Sequence, residues 1–267
     1  MPELGAVQQT LYIPLLARAR ETARKRPLLR DPKAVEMVES IGVDQERFGG
    51  SGGLLMVLRT AIYDHWVRAF LADHPAGTVV ELGTGLNTRF ERVDNGQVHW
   101  FDLDLPDTID LRRQFFTDTD RRRMIAASVL DDDWMDTVMA SQGPYFFVSE
   151  GVLVYLPTDD VLRTLRGIGE RFPGARIAID TYSADMQKRQ HERGAKKNYP
   201  QWQWACDDPR TLEPLGLHTL ESVTYRHPPR AMRRTLPIVY RTLVPLFDRL
   251  AGGLATITLF ESTTIAR

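Results

Sequence analysis

The first part of the chain carries its apolar side chains at the spacing of a helix. Leu11, Leu15 and Leu16 recur at intervals of one to four residues, which predicts a helix near the start of the chain. Asp31 directly precedes a proline and predicts the cap of a second helix, and a longer apolar repeat follows a cluster of glycines. We therefore expect residues 1–76 to form a helical cap in front of the core.

From residue 77 onwards, the pattern changes to short apolar runs that alternate with helical segments. The predicted strands cover residues 79–82, 99–103, 123–127, 145–150 and 176–180, and the predicted helices start near residues 87, 107, 132 and 158. A strand followed by a helix, repeated in this way, is typical of an α/β fold with a doubly wound, mainly parallel sheet. Residues 77–180 are expected to form this core, with a ligand at its carboxyl edge.

After residue 180 the chain becomes polar and basic before apolar runs return. The segment 181–215 starts as a helix, carries basic side chains around His191 and contains Trp202 and Trp204. We predict that it extends over the carboxyl edge of the sheet as a lid that contacts the substrate. Residues 216–267 contain two more apolar runs around a helical repeat and are expected to complete the sheet. No linker or repeat divides the chain, so we expect one domain.

Composition narrows the possible functions. The chain has 267 residues, 43% of them hydrophobic, which suffices for a large core. Its 34 Lys and Arg against 35 Asp and Glu leave a net charge of -1, so neither nucleic acid nor a membrane is an expected partner. Cys206 is the single cysteine, which excludes an internal disulfide and a zinc site of several cysteines, and no metal is predicted. With no leader and no membrane-spanning run predicted, we expect a cytoplasmic protein.

The first candidate binding feature is the glycine turn after the first predicted strand. Gly83 and Gly85, with Thr84 between them, allow a ligand to approach the backbone closely. A nicotinamide dinucleotide protein would be expected to have glycine where Thr88 stands, and Glu81 would repel its pyrophosphate. The turn therefore favours a cationic or hydroxyl-bearing ligand, and the alternative is a tight turn that binds nothing.

Residues at the ends of the next three predicted strands extend this candidate site. Asp102 and Asp104 alternate along the second strand, so both carboxylates point to the side where sheets of this type bind ribose hydroxyls. The alternative for this acidic pair is a helix cap. Ser128 and Val129 end the third strand, and Glu150 ends the fourth, where a charge needs a partner or a solvated cleft.

These motifs, taken in order, resemble those of a known family. The stretches ELGTGLNTRF, FDLDLP, SVLDDDW and SEGVLVYLP, with the earlier QQTLYIPLLARARE, are similar to the leucine carboxyl methyltransferase family, especially to its bacterial O-methyltransferases of polyketide biosynthesis. The resemblance spans residues 7–165 and implies a Rossmann-like class I methyltransferase fold whose core binds S-adenosylmethionine. Beyond residue 180 the resemblance is vague, so it says little about the substrate.

The resemblance also implies roles for individual residues. Arg59 would bind the carboxylate of the cofactor's methionine part, to which a guanidinium offers two donors, and Asp104 would bind the ribose. Asn87 and Ser128 stand where parts of the family have aspartate, which affects the details of the adenine contacts. With the strand-end motifs included, the predicted cofactor contacts are Arg59, Glu81, Gly83, Thr84, Gly85, Asp102, Asp104, Leu105, Ser128, Val129 and Glu150.

The implied reaction is attack by a substrate oxygen on the cofactor's methyl group. A carboxylate is already ionised at pH 7, whereas a phenol with a pKa near 10 needs a base. No histidine lies in the shared motifs, which slightly favours carboxyl over hydroxyl methylation. Glu150, Tyr155 and His191 are the predicted catalytic residues, with His191 as the possible base. We expect an acidic or aromatic small-molecule acceptor, such as a polyketide-like natural product.

Three alternatives stay open from the sequence. A protein carboxyl methyltransferase, as in the eukaryotic branch of the family, would act on the C-terminus of a polypeptide. A non-catalytic protein would bind S-adenosylmethionine and transfer nothing, since its cofactor contacts would be the same. A nicotinamide dehydrogenase would bind NAD instead.

Overall fold

The computed structural model describes residues 5, 7–49, 53–195, 200–250 and 255–263, and a seven-stranded sheet lies at its centre. The strands are β1 (Thr78–Leu82), β2 (His99–Asp104), β3 (Arg122–Ala126), β4 (Tyr145–Ser149), β5 (Arg176–Thr181), β6 (Leu217–Thr224) and β7 (Thr256–Ser262). Their order is β3-β2-β1-β4-β5-β7-β6, with β1 to β5 parallel and β7 antiparallel to both of its neighbours. The predicted doubly wound, mainly parallel sheet is confirmed, and its five predicted core strands agree within one residue at each end.

The strand order reverses between β1 and β4, which is where open sheets of this kind form a crevice at their carboxyl ends. Leu82 pairs with Leu103 on one side and with Ser149 on the other, so β1, β2 and β4 end at nearly the same level. On the far side, Thr181 and Thr224 both pair with Thr256. The residues that follow β5 and β6 therefore emerge at the same carboxyl edge.

Helices cover both faces of the sheet and its carboxyl edge. They are α1 (Tyr12–Thr22), α2 (Pro32–Ile41), α3 (Gln45–Phe48), α4 (Gly53–Asp73), α5 (Arg89–Val93), α6 (Pro106–Arg112), α7 (Asp133–Met139), α8 (Thr158–Arg171), α9 (Ala184–Ala195), α10 (Arg230–Arg233) and α11 (Ile238–Leu250). The helical repeat around residues 232–250 forms two helices, because Pro237 lacks the N–H that a continuous helix needs. Within the described ranges, no helix is long and apolar enough to span a membrane.

The core consists of apolar clusters on the two faces of the sheet. On one face, α4 packs its fully buried Leu58 and Ile62 in a cluster with Trp100 of β2. On the other face, Phe147 of β4 packs with Leu165 of α8. Because α4 is buried along most of its length, its polar residues are carried into the interior, where they meet the ends of the central strands.

Candidate active site

A cavity of about 930 Å³ opens at the carboxyl edge of the sheet, at the reversal of the strand order. The segments that follow β1, β2 and β3 line one side of it, which we call the β1–β3 end. The segments that follow β4, β5 and β6 line the other side, the β4–β6 end. α1 and the first turns of α4 also contribute to the wall. This volume lies near the upper end of those typical of ligand sites.

Two glycines with left-handed backbone shape the turn after β1. Gly83 has a φ of 66° and Gly85 a φ of 50°. A Cβ atom at Gly83 would lie 2.5 Å from a methyl carbon of Val152, so a side chain does not fit there. The backbone N–H groups of Gly83 and Thr84 donate to the Leu103 carbonyl at 2.8 and 3.0 Å. The turn is thereby fixed against β2, and its three residues form part of the cavity wall.

Asp104, at the end of β2, lies in the wall of the β1–β3 end. Its carboxylate accepts hydrogen bonds from the backbone N–H groups of Gly85 and Leu105, both at 2.7 Å. Burial raises the pKa of the Asp104 carboxyl, although these two N–H groups act in the opposite direction. The predicted contacts Leu105, Ser128 and Val129 line the same end of the cavity. The structure thus brings these four residues together beside the glycine turn.

Asp102 differs from Asp104 because it does not reach the cavity. Its side chain is fully buried, accepts a hydrogen bond from Arg122 at 2.7 Å and pairs with Arg112 at 2.9 Å. It also accepts from the hydroxyl of Thr84 at 3.0 Å. Asp102 therefore holds the glycine turn and two arginines in place beneath the cavity, and this position gives no support to its predicted contact with the cofactor, which stays a prediction.

Glu150 follows β4 at the centre of the cavity and is held between two arginines. It accepts hydrogen bonds from Arg59 Nε at 3.0 Å, from the Thr60 hydroxyl at 2.8 Å and from Arg89 Nη2. Burial alone would raise the pKa of Glu150, but the two guanidinium groups outweigh it and lower this pKa to about 2. Glu150 is therefore a fixed anion, and its predicted catalytic role stays a prediction.

Glu81, at the end of β1, is a second buried carboxylate in the cavity wall, and its pKa is shifted in the opposite direction from that of Glu150. Its Oε1 atom accepts from the Asn87 amide at 2.7 Å and from Arg89 Nη1, whereas its buried Oε2 atom has no hydrogen-bond partner within the described residues. Burial raises the pKa of Glu81 to about 7 despite the neighbouring Arg89. A cationic group bound beside Oε2 would stabilise the ionised form.

Arg59 extends from α4 to the bottom of the cavity. Besides its bond to Glu150, it donates from Nη1 to Asp180 at 3.1 Å and to the Tyr182 hydroxyl at 2.9 Å. No hydrogen bond of its Nη2 atom is found among the residues that the structure describes. This arrangement fixes the guanidinium in the cavity wall with one nitrogen left for a ligand.

Arg18 of α1 is a cavity residue that the sequence pattern does not single out. It donates from Nε to Asp31 at 2.8 Å and from Nη2 to the Leu86 carbonyl at 2.7 Å. Its Nη1 atom has no partner in the described part of the chain. The stretch that contains Arg18 predicts only a helix, since nothing in a single sequence distinguishes a buried arginine from a surface one.

The β4–β6 end is apolar and aromatic. It contains the predicted residue Tyr155 and also Tyr182, Met186, Trp202 and Tyr225. The rings of Tyr182 and Trp202 lie 4.5 Å apart, measured between their centroids. A flat, apolar ligand would find face and edge contacts here.

His191 lies on α9 but not in the cavity wall. Its Nε2 atom is 2.6 Å from the Trp202 carbonyl, which ties α9 to the segment that follows it. The neighbouring Gln190 lines the cavity and His191 does not, so this geometry gives no support to the predicted catalytic role of His191, which stays a prediction. The lid function of segment 181–215 stays a prediction, and residues 196–199 lie outside the described residues.

Comparison with known proteins agrees with this architecture. The leucine carboxyl methyltransferase family matches residues 12–169. The chain is 32% identical over 214 residues to the tetracenomycin polyketide synthesis O-methyltransferase TcmP of Streptomyces glaucescens, which covers 79% of each protein. It is 26% identical over 235 residues to the S-adenosyl-L-methionine-dependent methyltransferase dpfgK of Gibberella zeae, covering 79% of this chain and 78% of that one.

A solved structure supports the fold independently. A proposed methyltransferase from Thermobifida fusca superimposes with a TM-score of 0.58 at 18% identity, covering 93% of this chain and 95% of that one. At this level of identity the likeness concerns the fold alone. The predicted Rossmann-like, class I methyltransferase fold is confirmed.

Proposed function

The chain belongs to the leucine carboxyl methyltransferase family, and from this premise we propose that it is an S-adenosylmethionine-dependent O-methyltransferase acting on a small-molecule carboxylate. The observation that carries the proposal is the two-ended cavity. Its β1–β3 end is polar and its β4–β6 end is aromatic, with Arg59 and Glu150 between them. Direct transfer requires that the methyl donor and the acceptor meet in one enclosed space, and this cavity provides it.

The residues of the β1–β3 end suit S-adenosylmethionine. Asp104 offers carboxylate oxygens to the ribose hydroxyls beside the turn at Gly85. Arg18 and Arg59 each keep one guanidinium nitrogen without a bond among the described residues, and together they would bind the carboxylate of the cofactor. Glu81 Oε2 would accept a hydrogen bond from its ammonium group. We therefore propose Asp104, Arg18, Arg59 and Glu81 as the cofactor contacts of this end.

When bound, S-adenosylmethionine supplies a methyl group made electrophilic by the positive sulfur. The contribution of the protein is to orient the acceptor oxygen toward this group and to exclude water. Tyr155 and Trp202 would pack against the acceptor, while Arg59 and Glu150 hold their charges fixed at the centre.

The protonation states around the cavity favour a carboxylate over a phenol. The pKa of Tyr182 is raised by burial and by Asp180, so its hydroxyl stays protonated, and the lowered pKa of Glu150 makes it a poor base. Glu81, whose pKa is near neutral, shares Arg89 with Glu150, and in this proposal its free oxygen is occupied by the ammonium group of the cofactor. No histidine is present among the described residues of the wall. A carboxylate needs none of these groups as a base.

The first experiment tests the cofactor. Calorimetric titration of the purified protein with S-adenosylmethionine, S-adenosylhomocysteine and NAD should give binding of the first two and none of NAD. Binding of NAD alone, or of none of the three, would overturn the proposal.

The second experiment tests the acceptor class. Protein and methyl-labelled S-adenosylmethionine are incubated with naphthoate, salicylate or naphthol, and the products are treated with mild base, which hydrolyses methyl esters but not aryl ethers. We expect base-labile product from the acids. Base-stable product would indicate hydroxyl methylation, and label in precipitated protein would indicate a polypeptide substrate. Arg59→Ala serves as the site variant, and Arg210→Ala, an exposed residue paired with Asp208, serves as the matched control.

A further inference from the structure

Tyr225 is a buried residue of the β4–β6 end whose hydroxyl has no well-formed hydrogen bond within the described residues. It directly follows β6, lines the cavity and is 3% exposed. Its hydroxyl lies beside the hydroxyl of Tyr182 but makes no hydrogen bond of good geometry within the described residues. A buried hydroxyl without a partner is unfavourable and rare in native proteins, so its presence in a cavity wall calls for an explanation.

The adjacent tyrosine provides the contrast. Tyr182 emerges after β5 at the same sheet edge as Tyr225, and its hydroxyl is already engaged. It accepts a hydrogen bond from Arg59 at 2.9 Å and donates one to Asp180 at 2.8 Å. The Tyr182 hydroxyl is therefore held by two partners of the protein, whereas the neighbouring Tyr225 hydroxyl has no well-formed bond that a ligand would need to replace.

We propose that the Tyr225 hydroxyl donates a hydrogen bond to the acceptor carboxylate, to the oxygen that is not methylated, and so turns the other oxygen toward the methyl group. This inference rests on the proposed function and specifies how the same site recognises its substrate. It makes Tyr225 a determinant of specificity for ionised acids. A neutral amide with the same ring system accepts a weaker hydrogen bond and gains less from this contact.

Two further observations agree with a donor role. Burial raises the pKa of the Tyr225 hydroxyl, so it keeps its proton at neutral pH and can only donate to an anion. The charges of Arg59, Asp180 and Glu150 all act on this hydroxyl, and because Arg59 is already paired with both carboxylates, an acceptor carboxylate needs a further donor such as Tyr225. The Tyr155 and Trp202 side chains in the same end of the cavity leave the ring of the acceptor an apolar surface.

The experiment compares two conservative variants, Tyr225→Phe and Tyr240→Phe. Tyr240 is the matched control because it is similarly buried and belongs to the same apolar cluster, and its hydroxyl also has only a neighbouring side chain, Glu21, without a well-formed bond. It does not line the cavity. Binding of naphthoate and of naphthamide is measured by calorimetry with S-adenosylhomocysteine present. Thermal unfolding of both variants checks that the fold is kept.

The wild type should bind naphthoate more tightly than naphthamide. Tyr225→Phe should weaken naphthoate binding by roughly tenfold to a hundredfold, the effect expected for a hydrogen bond to a charged group. It should leave the affinities for naphthamide and S-adenosylhomocysteine unchanged, and Tyr240→Phe should behave as the wild type.

Several results would overturn the inference. One is that Tyr225→Phe binds naphthoate as tightly as the wild type does. Another is that Tyr240→Phe loses as much affinity for naphthoate as Tyr225→Phe does. A third is that the wild type does not bind naphthoate more tightly than naphthamide. If S-adenosylhomocysteine binds in these cases, the proposed cofactor site stands and only the role of Tyr225 fails. If neither S-adenosylhomocysteine nor S-adenosylmethionine binds, the proposed function fails together with the inference drawn from it.

Discussion

The protonation of Glu81 should make cofactor binding depend on pH. In the free protein, burial raises the pKa of Glu81 to about 7, and the Oε2 atom of this carboxylate has no hydrogen-bond partner among the described residues. A bound ammonium or sulfonium group would favour the ionised form and lower this pKa. Binding therefore releases a proton, and the dissociation constant of S-adenosylmethionine falls as the pH rises through 7.

The size of the effect follows from the fraction of ionised carboxylate. With a pKa near 7, this fraction is about one in ten at pH 6 and about nine in ten at pH 8, so ionisation of Glu81 alone should raise affinity roughly tenfold between these values. Deprotonation of the cofactor's α-amino group near pH 8 reduces the net rise to about fivefold. At pH 7, about half a proton should be released on binding. Calorimetry in two buffers of different ionisation enthalpy measures both quantities.

Glu81→Gln is the control for this experiment. The α-amino group of the cofactor itself titrates near pH 8, and the variant retains that contribution while losing the carboxyl group. Its affinity should change much less between pH 6 and pH 8. If wild type and Glu81→Gln show the same dependence on pH, the Glu81 carboxyl does not change its protonation when the cofactor binds.

Three further predictions concern single residues. Arg59→Ala should weaken S-adenosylmethionine binding by about 2 kcal/mol, as for the loss of a charge-assisted hydrogen bond. Calorimetry measures this loss with Arg210→Ala as the control. If both variants bind S-adenosylmethionine equally well, Arg59 is not part of the site. Asp104→Asn should weaken cofactor binding while the thermal unfolding midpoint stays within a few degrees, and an unchanged dissociation constant would contradict its role. Arg89→Met should lower the free energy of unfolding by about 3–5 kcal/mol, because the buried guanidinium pairs with three carboxylates. Urea unfolding measures that loss, and a value below about 1 kcal/mol would indicate a solvated network.

The strands and the glycine turn could be predicted from the sequence because their signals are local. Apolar runs bounded by polar residues determine strand ends, and the Gly83 and Gly85 positions adopt the left-handed backbone that glycine tolerates best. The cavity at the carboxyl edge followed from the strand order, which a repeated strand and helix pattern implies. Local patterns of this kind are therefore sufficient to locate the β1–β3 end of the site.

The charge pairs of the site could not be predicted, because they join distant parts of the chain. Arg59 and Glu150 are separated by 91 positions, and no pattern in one sequence connects them. For Asp102, the alternation of side chains along β2 predicts the side of the sheet but not the depth, and the carboxylate lies beneath the cavity floor. The position of Tyr225 in the cavity wall could not be predicted either. It depends on β7 pairing antiparallel with both β5 and β6, which makes β6 run parallel to β5.

The position of β7 has a consequence for the order in which the site is completed during synthesis. β7 lies between β5 and β6, although it follows both in the chain. A ribosome adds about 5–20 residues per second from the N-terminus, so β6 emerges before the strand that joins it to the sheet. The β1–β3 end of the cavity is formed by residues that follow β1, β2 and β3, whereas the strand that joins β6 and Tyr225 to the sheet is complete only after residues 256–262 have been added. A nascent chain therefore contains every strand of the β1–β3 end before it contains the strand that joins Tyr225 to the sheet.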